Sequence, residues 1–379
     1  MDAHSHPRIA LVHDWLTGMR GGEKVLELFC QQWPDASLFT LLHARGSVSE
    51  PIERLRPTTS FLQKLPGVHK YYRYLLPLMP AAIRRPLPAC DVVVSSSHCV
   101  AKSVAVPEGA LHVCYCFTPM RYAWHMRGSY GFRGVKGWAI NQLLDRIRAW
   151  DRRTAAGVTH FVAISKEVQR RIRDCYGRDS VVVYPPVDTD YFTPTWEARD
   201  DYYLVVSAFA PYKRIDLAIE ACKRAGRRLV IIGTGQQERL LRTLAGPETQ
   251  FLGWQSTEQI RQHYRRCRAL LFPGVEDFGI VPLEATACGA PVIAFAQGGA
   301  VETVVPLDAR APATGVWFKE QTPAGLASAI EIFESSTDAF DGEAMRRHAE
   351  RFTTRRFEEE FFGFVDDLLA QRRPMRKAA

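Results

Sequence analysis

The stretch that most restricts the fold runs from Ala269 to Phe295, where two apolar runs, Ala269 to Phe272 and Val292 to Phe295, are joined by PGVEDFGIVPLEATACGAP. Short runs without polar alternation read as strands buried on both faces, and such strands belong to parallel sheets whose crossovers are helices. Pro282 suits the first turn of a crossover helix, which the spacing predicts over Leu283 to Cys288. Gly289 would close that helix in the left-handed conformation, and Pro291 would open the second strand. The amides of Phe278 to Val281 would then project unpaired from a helix N-terminus, where the macrodipole favours an anion such as a diphosphate. Glu276, on the loop before those amides, and Glu284, in the first turn, would flank the anion and accept hydrogen bonds from hydroxyls. Hydroxyls beside a diphosphate suggest a nucleotide sugar. Taken alone, two acids near a helix start equally suit the dipole.

The string EDFGIVPLEA, followed by a small residue, CG, PVIA and GG, resembles the signature of the retaining glycosyltransferases of family four. The resemblance implies an α/β chain of two Rossmann-like domains facing a cleft, the GT-B type. It further implies that Glu276 contacts hydroxyls of the donor sugar, Glu284 the ribose of the nucleotide, and the amides of Gly279, Ile280 and Val281 the diphosphate.

The chain has 379 residues, and single cores stop growing near about 250 to 300 residues, so two domains are expected. We place them at 1–185, an acceptor-side domain, and 186–354, a donor domain, with a C-terminal helix of 355–379 packing back on the first. No apolar run reaches the roughly 18 to 20 residues of a membrane span, and the N-terminus lacks a basic region ahead of a signal core. The expected place is the cytoplasm. Nine cysteines include no CxxC pair, which favours buried thiols over a disulfide scaffold or a zinc site. A formal charge of +8 and a pI near 9.0 suit an anionic membrane or nucleic acid. No helix-turn-helix, RNA-binding or zinc-finger pattern supports nucleic acid.

Residues 8–33 read as strand, loop and helix, with Gly18, Gly21 and Gly22 forming the turn. Glycines between a first strand and first helix let a backbone approach a phosphate closely. HDWLTGMRGGEKV also resembles the first loop of the same transferases, which makes Gly21 and Gly22 donor-side candidates and Asp14 an acceptor-side one; Glu23 and Lys24 are weaker. The segment 59–85 mixes Lys64, Lys70, Arg73, Arg84 and Arg85 with Tyr71, Tyr72, Tyr74, Leu75 and Leu76. That mixture suits the headgroup region of an anionic membrane, or else a core face backed by solvated cations. We expect a peripheral attachment to the inner face of the plasma membrane.

Asp91 to Ser97 and His112 to Cys116 read as strands whose C-terminal ends open on a ligand crevice. After the second comes FTPMRYAWH, where resembling transferases show HTPMRYAWD, so Phe117 stands for a histidine and His125 for an aspartate. The family histidine is expected near the C6 hydroxyl of the donor sugar, a bond a phenyl ring does not make. Phe117 thus favours a sugar without that hydroxyl, or turns into the core. Arg121 and His125 are further acceptor-side candidates, and acceptor contacts are also open to Gly128, Tyr130, Arg133, Lys136 and Trp138, a pattern that an amphipathic surface helix explains as well.

In the second domain, SAFAPYKRIDLA sets Lys213 and Arg214 at a helix start, able to neutralise a departing diphosphate. Resembling sequences often carry an arginine five residues before the lysine; here that position is Ala208. Gly233 resembles a phosphate-side turn, and Trp254 either meets the base or belongs to the core. Asp188-Thr189-Asp190 has the form of a DxD metal motif but follows two prolines at the domain link, where aspartates are ordinary turn residues. Glu320 to Glu334 and Ala344 to Phe362 read as helices. The function expected is metal-independent and cofactor-free transfer of a sugar, mannose or a related 6-deoxyhexose, from a guanosine diphosphate donor to a lipid-linked saccharide of a surface polysaccharide. The alternatives are a nucleotide-sugar epimerase of similar fold and a nucleotide-sugar binding protein.

Overall fold

The computed structural model describes residues 7–124, 134–195 and 197–372. The expectations for His125, for Gly128, Tyr130 and Arg133, and for the basic tail beyond Arg372 lie outside the described residues. The chain forms two compact units, Met1–Val183 with Glu360–Ala379, and Tyr184–Glu359. Each is built on one parallel sheet wrapped by helices, the α/β architecture expected.

The first sheet comprises β1 (Ile9–His13), β2 (Ser37–Thr40), β3 (Thr58–Thr59), β4 (Val92–Ser97), β5 (Leu111–Cys116), β6 (His160–Ala163) and β7 (Ser180–Val182). Its order is β3-β2-β1-β4-β5-β6-β7, every pair parallel. Every residue of β1, β4 and β5 is buried, as central strands covered on both faces must be. The chain order reverses between β1 and β4.

The second sheet comprises β8 (Tyr203–Val206), β9 (Leu229–Ile232), β10 (Thr249–Gly253), β11 (Ala269–Phe272), β12 (Val292–Phe295) and β13 (Gly315–Phe318). Its order is β10-β9-β8-β11-β12-β13, again all parallel, with the reversal between β8 and β11. Because strand side chains alternate, Tyr203, Val205, Leu271 and Ile293 share one core with the helices Ile215–Ala225 and Pro323–Glu334. Leu204, Leu270 and Val292 face the other core, shared with Tyr264 and Ala285.

Near the end of the chain the single helix expected over Ala344 to Phe362 is broken. Gly342–Ala349 is followed by a 3-10 turn at Glu350–Phe352 and a new helix, Thr354–Arg372. The Phe352 carbonyl accepts the Val187 amide at 2.8 Å, which takes it out of any helical ladder, and Thr353 is extended. Thr354–Arg372 begins in the second unit and ends in the first, where Phe361 stacks on Phe29 at 4.7 Å and Phe362 meets Trp33 edge-on at 5.2 Å.

Segment 59–85 forms 3-10 turns at Phe61–Lys64, Val68–Lys70 and Tyr72–Leu78 and a short helix, Met79–Ala82. Part of it is core and part is exposed surface. Leu62, Val68, Tyr72 and Met79 enter the core of the first unit, while Phe61, Leu78 and above all Tyr74, 85% accessible, face solvent beside Lys70 and Arg73. All nine cysteines lie among the described residues, buried and without a disulfide. Among those residues no helix is long and apolar enough to cross a membrane.

Candidate functional site

In the second unit, β8 and β11 flank the reversal of strand order, the place where open α/β sheets bind ligands beyond their C-terminal ends. The chain after β8 passes through the 3-10 turn Pro211–Lys213, and the chain after β11 carries Glu276. The Lys213 ammonium donates to the Glu276 carboxylate across this point. Their side chains are only 20% and 12% accessible, so the pair is screened less than a surface ion pair. Gly274 permits the approach, since a Cβ there would stand 2.8 Å from the Lys213 Cα.

The loop bearing Glu276 is seated on Gly298 and Gly299. Glu276 bridges Gly298, and the Gly299 amide donates to the Glu276 carbonyl at 2.8 Å. A Cβ on Gly299 would lie 2.1 Å from the Phe278 carbonyl oxygen. The paired glycines of the signature are thus the backbone seat of the acidic loop.

The helix after this loop is Ile280–Ala287, beginning three residues before the expected start. Gly279, at φ 104°, takes the N-cap in the left-handed conformation. Pro282 is therefore the third helical residue, tolerated because an amide in the first turn has no intrahelical acceptor to lose. The amides of Gly279, Ile280 and Val281 stand at this N-terminus. Glu284 falls in the second turn, not the first, and the Tyr264 hydroxyl donates to its Oε2 at 3.1 Å. Burial, with the Glu284 charge, holds the Tyr264 phenol well above its ordinary value, which keeps it a donor. Tyr264 has no signal in the sequence, where it is one more apolar position of the helix Thr257–Arg266.

Arg214 departs from its expected role. It caps Ile215–Ala225 at φ 51° and turns its guanidinium onto Asp216, with contacts of 3.0 to 3.3 Å. A carboxylate two residues on thus compensates the second cation of the pair, and Lys213 alone meets Glu276. Gly233 follows β9 at φ 134°, where a Cβ would strike the Ser207 carbonyl oxygen. Trp254 is 76% accessible, which removes the core reading. Asp188 accepts the Tyr191 amide at 2.9 Å, the behaviour of a turn residue.

In the first unit, Asp14, His98 and Phe117 each stand one residue past the end of β1, β4 and β5, three adjacent strands. Asp14 is fully buried. Its Oδ2 accepts the amides of His98 and Cys99 at 2.7 and 2.9 Å, and its Oδ1 those of Val100 and Ala101 at 2.6 and 2.7 Å. Asp14 is therefore corrected from an acceptor contact to the anchor of the turn after β4. The same carboxylate lies 3.2 Å from His98 Nδ1. Burial lowers the His98 imidazole below its ordinary value although Asp14 opposes this; His13 and Arg121 add to the lowering and Glu23 resists it.

Gly21 and Gly22 open the helix Gly21–Gln32, directly after an extended Arg20. A Cβ on Gly22 would meet the Phe117 ring at 3.4 Å and His13 Cε1 at 3.6 Å. Phe117 is half-buried, edge-on to Tyr115 at 5.5 Å and 6.4 Å from the His98 ring. Glu23 folds back to accept the Arg20 amide at 3.2 Å and to stand 3.9 Å from His13 Nε2. Burial pushes the Glu23 carboxyl up, but the interaction with nearby His13 outweighs it and holds the group below its ordinary value. Arg121 is half-buried.

Residues 188–352 match the family model described as glycosyl transferases group 1. The D-inositol 3-phosphate glycosyltransferase of Geodermatophilus obscurus is 32% identical over 239 residues, 54% of this chain and 52% of that protein. The GDP-mannose-dependent alpha-(1-6)-phosphatidylinositol monomannoside mannosyltransferase of Mycobacterium tuberculosis is 31% identical over 199 residues, 44% of this chain and 51% of that protein. The chain spans about half the length of the curated relatives it matches. Anabaena Alr3699/HepE, solved in complex with UDP, shares the fold over 95% of this chain and 100% of its own, with a TM-score of 0.69 at 16% identity.

Proposed function

We propose that this chain is a retaining glycosyltransferase that moves a sugar from a nucleoside diphosphate to a saccharide acceptor without a metal ion. The observation that carries the reading is the contact of Lys213 with Glu276 at the strand-order reversal of the second sheet, beside the N-terminus of Ile280–Ala287. An ammonium, free helix amides and a carboxylate acceptor, set together, match a ligand that presents phosphate and hydroxyls at once. A diphosphate draws Lys213 and the amides of Gly279, Ile280 and Val281, while a hydroxyl of the donor sugar takes over Glu276. Glu284, held by Tyr264, accepts from the ribose. As the bond to the anomeric carbon breaks, Lys213 and the amides stabilise the charge growing on the diphosphate. The acceptor hydroxyl attacks from the same face and passes its proton to the leaving phosphate.

The names of the relatives favour a guanosine diphosphate donor with a manno-configured sugar, and Phe117, a phenyl wall, favours mannose's 6-deoxy relatives beside mannose itself. A lipid-linked saccharide is the acceptor, met at the inner face of the plasma membrane through the exposed part of segment 59–85. The test is incubation with a panel of nucleotide sugars, measuring free nucleotide with and without a lipid extract. Release that depends on the extract is expected. Conversion of the donor without any acceptor would make the chain an epimerase, and binding without release would make it a nucleotide-sugar binding protein.

A further inference from the structure

His13 ends β1, His98 follows β4 and His112 lies near the start of β5, and the three imidazoles differ in what is left for a ligand. His13 is fully buried, its Nδ1 2.7 Å from Ser96 Oγ. His112 is buried as well, its Nε2 2.8 Å from Ser95 Oγ. His98 alone of the three keeps 30% of its side chain accessible, and among the described residues no hydrogen bond engages its Nε2. Its other nitrogen faces the buried Asp14 carboxylate, whose four amide bonds fix that carboxylate in place. A carboxylate at Nδ1 holds the proton there and leaves the lone pair on Nε2. Trp15 packs edge-on against the ring at 4.5 Å, which limits its rotation.

The ring also sits where a ligand is expected. His98 follows β4 and Asp14 follows β1, so the two meet across the reversal of strand order in the first sheet. Lys213 and Glu276 meet at the corresponding point of the second. Phe117, one strand further along, contributes only an apolar wall 6.4 Å from the His98 ring. A crevice that must recognise a hydroxylated ligand needs a polar group beside such a wall.

We infer that His98 is a sugar-binding residue of the first unit, its Nε2 accepting a hydroxyl of the donor or the acceptor saccharide, with Asp14 as its positioning residue. This rests on the reading of the chain as a sugar transferase. The groups that set the charge of the ring are Asp14 and Glu23, which favour protonation, and His13 and Arg121, which oppose it. Burial adds to the second side, so the ring stays neutral near pH 7 and Nε2 remains an acceptor.

The experiment compares the full-length wild type with His98→Phe and His98→Gln, using the donor that the wild type turns over fastest in the panel above. His98→Phe is expected to lower kcat/KM about tenfold or more, the order of one hydrogen bond to a buried partner, and His98→Gln to recover part of the loss at an unchanged melting temperature. Two arms separate the sources of the hydroxyl. If it belongs to the donor sugar, slow nucleotide release without acceptor falls in His98→Phe; if it belongs to the acceptor, that release is unchanged and the acceptor KM rises. Equal kcat/KM for wild type and both variants would overturn the assignment. A wild type that turns over no donor would overturn the transferase reading instead, and the site is then read by imidazole ¹⁵N NMR with GDP-mannose and methyl mannoside. A shift of the His98 resonance supports the sugar contact, and its absence with both probes sinks it.

Discussion

Lys213 and Glu276, 63 residues apart in the chain, meet as an ion pair over the one gap in the second sheet where neighbouring strands run to opposite sides in sequence order. Each residue balances the charge of the other. On the transferase reading, a phosphate that drew Lys213 away would leave Glu276 in need of a donor, which a sugar hydroxyl would supply. The ligand would then exchange one contact of the pair for each that it gains.

Glu276→Gln and Lys213→Met should each lower turnover on the order of a hundredfold, because each removes a group bound more tightly to the transition state than to the substrate. Each variant also leaves its partner's largely buried charge uncompensated, so melting should fall as well, and turnover is compared at a temperature where wild type and variants are all folded. Turnover should also survive EDTA. Normal turnover in Glu276→Gln would take that residue out of the site, and loss in EDTA reversed by a divalent ion would turn attention to Asp188 and Asp190.

Gly299→Ala tests the seat of the acidic loop. The added methyl would stand 2.1 Å from the Phe278 oxygen and 2.2 Å from the Phe278 Cα, so the loop must shift, at a cost of about 1 to 3 kcal/mol. Both melting temperature and turnover should fall. Gly363→Ala, with nothing within 4 Å of the new Cβ and a helical position, is the control expected to be neutral or stabilising.

Acid should weaken the first unit through His112. Burial lowers this imidazole to about 4, whereas an unfolded histidine titrates near about 6.5. Between those values the unfolded chain takes up a proton that the folded chain refuses, so stability falls as pH drops, by up to about 1.4 kcal/mol per pH unit. Urea midpoints of wild type and His112→Gln at pH 7 and pH 5 measure this share. A variant that loses as much as the wild type would remove His112 from the account.

Charge reversal at Lys64, Lys70 and Arg73 together should release the protein from anionic liposomes. Each cation near such a surface contributes about 1 kcal/mol, so three reversals lower partitioning by at least about a hundredfold. Phe61, Tyr74 and Leu78 remain exposed in the variant, which isolates the electrostatic share. Equal sedimentation of both proteins would leave segment 59–85 as ordinary surface.

How much of this was legible in the chain depends on the range of the interaction. Strands such as Leu229–Ile232 and Val292–Phe295 announce themselves because central parallel strands are apolar throughout. Ser37–Thr40, Thr249–Gly253 and Gly315–Phe318 do not, because polar or glycine residues at their ends interrupt the apolar run, and the second is a partly accessible edge. Glu276 and Lys213 could be picked out from neighbouring glycines and a helix start. Pro282 suggests a later start for Ile280–Ala287 than the left-handed Gly279 cap sets. Tyr264 on Glu284, and Asp14 beneath His98, join residues 20 and 84 positions apart; no local pattern encodes such contacts.

The helix Thr354–Arg372 carries a consequence for how the protein is made. The second unit is contiguous, Tyr184–Glu359, but the first needs residues from Glu360 onward, and Phe29 is covered by Phe361. During synthesis the earlier half leaves the ribosome first and yet cannot close its core until the later half has been made. The usual order of domain folding, N-terminal first, is reversed: the second unit can mature alone, while the first waits with an aromatic face around Phe29 and Trp33 open to solvent and to chaperones.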